Sequence, residues 1–155
     1  MGSTNWFRLR LIRLTCVLLL LSASNVFGQE NDKFLKAGFD DDSTFLFFYS
    51  KYQKAIKEND SLYLATINDY PLKVSYWLKK PFIIKDQKSF LNRYSQIYSK
   101  SLRELILSQT PDDLHTTWRG AFVGRGEVWF VGYIIDDSSR ILIPSFNLST
   151  DASNK

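Results

Sequence analysis

The chain has 155 residues, a formal net charge of +4, one histidine and one cysteine. Three of its twenty Lys and Arg side chains, Arg8, Arg10 and Arg13, precede the first acid, Glu30, so without the segment that holds them 17 cations face 16 acids, a balance of +1. A near-neutral chain without a Lys/Arg block lacks the electrostatic footprint of a nucleic-acid binder, and with Cys16 lost as well no disulfide, thiol nucleophile or thiolate metal site is left.

Residues 14–21 form an apolar block broken only by Thr15 and Cys16. It has the length of a signal-peptide core and falls short of the roughly 20 residues that span a bilayer. A polar stretch then leads to Val26-Phe27-Gly28, and a secretory leader over 1–28, cut after Gly28, is expected. The protein is then secreted or periplasmic, with no membrane segment after cleavage. Residues 29–42 are polar and aperiodic and are expected to form a linker or loosely held arm.

The domain is expected over 43–148. Asp42 or Ser43 can cap a helix whose Phe45, Phe48, Tyr49, Tyr52, Ala55 and Ile56 recur at spacings of three and four. Asp60 can cap a shorter helix that must stop near Tyr70, because Pro71 disfavours helical backbone before it. Alternation over 72–78 predicts a strand running to a turn at Lys80-Pro81, with a short second strand over 82–85. Asp86 can cap a helix carrying Phe90, Leu91, Tyr94, Ile97 and Tyr98, and a further helical stretch covers 101–108. Strands follow over 114–123, 127–135 and 140–147, separated by Gly124-Arg125-Gly126 and by the turn at residues 136–139. Residues 149–155 read as a frayed tail. Helices first and strands last make an α+β fold with an antiparallel sheet. Val128, Phe130 and Ile134 share one face of the central strand, and Trp129, Val131, Tyr133 and Ile135 share the other. Both faces therefore call for cover, one by the helices and the other by a second subunit, so a homodimer is expected.

The stretch Lys54-Ala55-Ile56-Lys57-Glu58-Asn59-Asp60 through Asp69-Tyr70-Pro71-Leu72-Lys73-Val74 resembles the opening of exported proteins of the nuclear transport factor 2-like (cystatin-like) superfamily. Gly120-Ala121-Phe122-Val123-Gly124-Arg125-Gly126-Glu127-Val128-Trp129-Phe130, with the closing strand over 141–147, is similar to a pattern of its bacterial secreted members. The resemblance covers residues 44–148 and implies a cone: a long helix and shorter ones on a strongly curved sheet, often with a pocket at its mouth and often dimeric. It says little about activity, because one fold hosts many functions. Pro144 departs from the pattern and implies an edge or bulge.

His115, the sole histidine, could serve as a base, although its place at a strand start also suits a structural role. Glu127 is the carboxylate best placed by context, on the strand face of Trp129; Arg125 or Arg119 could neutralise it in an ion pair that pins the hairpin. Asp69 is a second candidate base. Trp77, Tyr94, Trp118 and Trp129 could line a pocket for an apolar or sugar-like ligand, while large aromatics more often fill cores. Asp40-Asp41-Asp42 suits a helix start better than a calcium loop, and the sequence implies neither metal nor cofactor. The preferred reading is an exported binding or interaction module for a small ligand or an exported protein partner. The alternative is a small cone-pocket enzyme of isomerase, dehydratase or hydrolase type that uses Glu127 or Asp69 as base with His115 or a Tyr hydroxyl as donor.

Overall fold

The structure, a computed structural model, describes residues 32–76 and 79–148, with Lys79 described in its backbone only. The expected leader, Trp77 and the expected tail lie outside these residues. No described helix is long and apolar enough to cross a membrane.

Helix α1 (Asp42–Glu58) is opened by Asp41, whose carboxylate accepts a hydrogen bond from the Thr44 N–H at 2.7 Å. Its stripe Phe45, Tyr49, Tyr52, Ala55 and Ile56 is buried, as the periodicity predicts. Asn59 closes the helix in the left-handed conformation, and Asp60 caps α2 (Ser61–Thr66) through the Tyr63 N–H. The second helix ends before Pro71 can act on it. Thr66 Oγ1 donates to the Tyr63 carbonyl and Asn68 Nδ2 to that of Leu64, which satisfies the last turn from within. Asp86 caps α3 (Gln87–Ile97) and Ser99 caps α4 (Lys100–Ser108).

The loose arm expected over 29–42 is, across its described residues, part of the core. Phe34, Ala37 and Phe39 are buried, and the Phe34 ring stacks on Phe45 with centroids 4.0 Å apart. The acidic run holds the segment down: Asp42 Oδ1 accepts from the Phe34 and Leu35 N–H groups at 2.8 and 3.0 Å. Isolated aromatics in a polar stretch have no periodicity, so nothing local announced their burial.

Six strands form one sheet: β1 (Asn68–Tyr76), β2 (Lys79–Ile84), β3 (His115–Thr117), β4 (Gly120–Val123), β5 (Val128–Ile135) and β6 (Ser138–Leu148). Their order is β2-β1-β6-β5-β4-β3. The α+β class holds, but the sheet is mixed rather than antiparallel, because β6 runs parallel to β1 while its other neighbour, β5, is antiparallel. The long connection through β2, the helices and the β3–β5 meander supplies the crossover that a parallel pair requires. Lys80-Pro81 lies inside β2 rather than in a turn. That strand is at the sheet edge, where Pro81 has no ladder partner to lose. The expected strand over 114–123 is itself a hairpin, broken at Trp118-Arg119. Asp136 and Asp137, at φ 49° and 57°, make the two-residue turn between β5 and β6. Pro144 sits in an interior strand where the β5–β6 register slips, between Val128↔Phe146 and Val131↔Leu142. It is a bulge and not an edge.

The described helices pack on one face only. Phe130 is fully buried and meets the rings of Phe45, Phe48, Tyr49 and Tyr52 edge-on, with centroids 5.2–5.9 Å apart. Each such pair adds roughly 0.5–1.5 kcal/mol beyond area burial. Tyr98 packs on Phe146 in the same way and shares a buried hydroxyl hydrogen bond with Tyr52. Gly132 lets the chain at Gly38 approach the sheet, since any Cβ there would collide with the Gly38 carbonyl oxygen.

Candidate functional site

Among the described residues, the opposite face of the sheet carries no helix. Register places His115 opposite Phe122, Phe122 opposite Trp129, Val131 opposite Leu142 and Tyr133 opposite Arg140. Strand alternation points these side chains away from Phe130 and its cluster. Phe122, Trp129, Val131, Tyr133 and Leu142 are partly exposed, and His115 and Arg140 are exposed. The His115 and Phe122 rings lie 5.2 Å apart at 21°, and those of Phe122 and Trp129 4.6 Å apart at 33°. Rings this close cannot lie side by side in one plane. The His115 ring is stacked on Phe122, and the Phe122 ring is tilted against Trp129.

The expected acid and base candidates are dispersed. His115 is on edge strand β3, its ring against Phe122. Asp69 is on β1, half-buried beside Tyr133, whose hydroxyl is pushed above its ordinary value by burial and then by the Asp69 carboxylate. Glu127 lies just outside β5 in the hairpin turn, where its Oε2 accepts from the Arg125 N–H. Among the described residues it makes no ion pair with Arg125 or Arg119, so the expected charge neutralisation is replaced by a bond to backbone. Glu127 does not share the surroundings of Trp129: it lines a cleft of about 230 Å³ with Ser99, Ser101, Leu102, Leu105 and Leu148. His115 is not among those lining residues. The hairpin is pinned by neutral bonds, with Asn147 Nδ2 donating to the Gly126 carbonyl and the Asn147 N–H to that of Glu127.

The aromatic candidates separate in the same way. Trp129 belongs to the ring stack on the open face. Trp118 is 78% exposed at the β3–β4 turn, with the Arg119 guanidinium 4.7 Å from its ring centroid. Tyr94 lies on the helix side against Phe90 and Tyr98. Its hydroxyl is buried without a hydrogen-bond partner among the described residues and is pushed up chiefly by that burial. Among the described residues no group of three or more His, Cys, Asp or Glu side chains is arranged to hold a metal.

Sequence reasoning did not single out Phe122, Val131, Leu142, Tyr133 and Arg140 as one surface. Alternation within each strand was visible, but the bulge at Pro144 sets which β6 residues face Val131 and Tyr133. No family model, curated protein or solved structure matches the chain.

Proposed function

We propose that this chain is an exported binding or interaction module whose contact surface is the helix-free face of its sheet. The observation that carries this reading is the apolar centre formed there by Phe122, Trp129, Val131 and Leu142, left partly open with none of the described elements over it. The dispersal of His115, Asp69 and Glu127 supports the same reading, because acid–base catalysis needs its groups within reach of one substrate. Native purification followed by mass spectrometry tests it. A ligand or protein that co-purifies with the wild-type chain is expected to be lost from the Val131→Glu, Leu142→Glu variant and kept by Glu127→Gln. The reverse pattern sinks the proposal.

A second reading rests on the cleft that Glu127 lines together with Ser99, Ser101 and three leucines. It is a carboxylate-dependent enzyme, and turnover of any substrate abolished by Glu127→Gln supports it. Membership of the nuclear transport factor 2-like superfamily, with its cone shape, is likewise a proposal; a long first helix with shorter ones on an α+β sheet supports it. Export rests on the leader-like opening, and an intact mass matching residues 29–155 of the protein recovered outside the cytoplasm tests it.

A further inference from the structure

The turn between β4 and β5 is pinned from several sides. The Gly126 and Glu127 N–H groups donate to the Val123 carbonyl, Gln109 Oε1 accepts from the Gly124 N–H at 2.9 Å, and Asn147 bonds the Gly126 and Glu127 carbonyls. The half-buried Glu127 carboxylate is thereby held close to α4. Gly124, at φ 62°, leaves no room for a side chain between them, because a Cβ there would collide with Glu127 Oε2 and crowd Leu105 Cδ2. The Arg125 N–H takes Oε2, and the other carboxylate oxygen has no hydrogen-bond or ion-pair partner among the described residues. The cations of the turn and of α4 do not compensate it: Lys100 pairs with Glu104 at 3.8 Å, Arg103 Nη2 donates to the Ile56 carbonyl, and Arg125 is exposed. The two serine hydroxyls of the cleft bond one another at 3.0 Å, and Ser99 Oγ also accepts from the Leu102 N–H. Among the described residues that line the cleft, Glu127 is the one charged group, and Leu102, Leu105 and Leu148 supply the apolar wall.

We infer that this cleft binds a small aliphatic monoamine, its ammonium on Glu127 and its hydrocarbon body along Leu102, Leu105 and Leu148. The inference deepens the second reading above, since it rests on the same cleft, and it is independent of the sheet face. The sign of the ligand follows from the local charge. The opening turn of α4 carries the equivalent of about half a positive charge against the full negative charge of Glu127, so the balance is negative. That turn helps to keep the carboxylate ionised, and a bound anion would have to sit against it. An alcohol can donate a hydrogen bond to the spare oxygen, but an ammonium adds the opposite charge to its hydrogen bond. Size limits the rest: a volume of about 230 Å³ equals roughly eight waters at about 30 Å³ each, which suits a short alkyl amine and is too small for an oligosaccharide.

The test is an NMR titration of the purified protein with isopentylamine, its neutral isostere isopentyl alcohol and its anionic counterpart isovalerate, read at the backbone amides of Leu102, Leu105 and Arg125. Only the amine is expected to shift them to saturation, and its binding should weaken as salt rises. Glu127→Gln keeps an oxygen for the Arg125 N–H and is expected to weaken the amine about tenfold or more. Asp137→Asn makes the same charge change at the β5–β6 turn and is expected to leave binding unchanged. Equal binding of the alcohol, tighter binding of isovalerate, or full binding by Glu127→Gln overturns the inference. So does amine binding that emerges only in a Lys155→Ala variant, which would give Glu127 a partner within its own chain. Turnover of a substrate that is not an amine, lost in Glu127→Gln while no amine binds, sinks the inference and leaves the enzyme reading standing. Amine binding without any turnover that depends on Glu127 does the reverse.

Discussion

Trp129 and Phe130 are adjacent on β5 and lead opposite lives. Phe130 is enclosed by four rings of α1, while Trp129 stands in a three-ring cluster on the face that no described helix covers. Both sides of the strand are apolar, so hydrophobicity alone did not mark the core side. Enclosure did: the helix face is closed by elements of the same chain, and the other face is closed by nothing among the described residues.

The sharpest way to break that comparison is truncation on each side. Phe130→Ala is expected to cost about 3–5 kcal/mol in denaturant unfolding, because it leaves a cavity among rings that cannot collapse into it. Val131→Ala, one residue on, is expected to cost about 1 kcal/mol or less. Equal costs would mean that the open face is covered in solution, which would support the homodimer that two apolar faces call for, and light scattering over a concentration series would then show it.

A second prediction concerns the seam where the N-terminal segment meets the sheet. Gly132→Ala pushes a Cβ into the Gly38 carbonyl oxygen and is expected to cost about 1–3 kcal/mol, with faster hydrogen exchange at Gly38 and Phe39. A neutral outcome would show that the segment is held less tightly than its buried Phe34 and Phe39 indicate.

The two sides also differ in how they respond to pH. Burial raises the Tyr52 and Tyr98 hydroxyls well above the ordinary tyrosine value, and each lies beside the other's hydroxyl. A raised folded-state pKa favours the protonated form in the native state. Stability is therefore expected to hold below about pH 10, the unfolded value, and to fall as pH rises past it. Phenolate absorbance of these two residues should emerge only with unfolding, and a Tyr52→Phe variant should flatten the alkaline loss. Early titration of both would place them nearer solvent than the structure does.

The smallest effect is at the acid end. Asp41, Asp86 and Asp113 are held below the ordinary carboxylate value, first by side-chain hydrogen bonds in Asp41 and Asp113 and by the Ser89 N–H in Asp86. Their contribution is present above the unfolded carboxylate value and is lost as pH falls through the lower folded one. Asp41→Asn keeps a capping oxygen and should weaken that acid dependence with little change near neutrality. An unchanged acid profile would remove Asp41 from the account.

How much was legible follows the range of each interaction. Asp60 and Asp86 announced their helices because a cap and its target N–H lie three residues apart. The hairpin at Asp136-Asp137 was legible for the same reason. The parallel pairing of β6 with β1 joins Asn68 to Ile143 and leaves no local mark in either segment. The candidate site was legible only in part: Trp129 was named for its type, but its companions depended on register. Glu127 was expected to pair with a side-chain cation and instead bonds the backbone of its own turn, which a spacing argument does not separate from an ion pair.

The place of β6 has a further consequence. It is the last of the described strands in chain order and it lies in the interior of the sheet, between β1 and β5. Without it, β1 has only its hairpin partner β2, and the ring cluster of α1 has an incomplete floor. Pairings of such long range also slow folding. A chain cut short before β6 should therefore lose the join between the β1–β2 pair and the β3–β5 meander, and with it the single sheet.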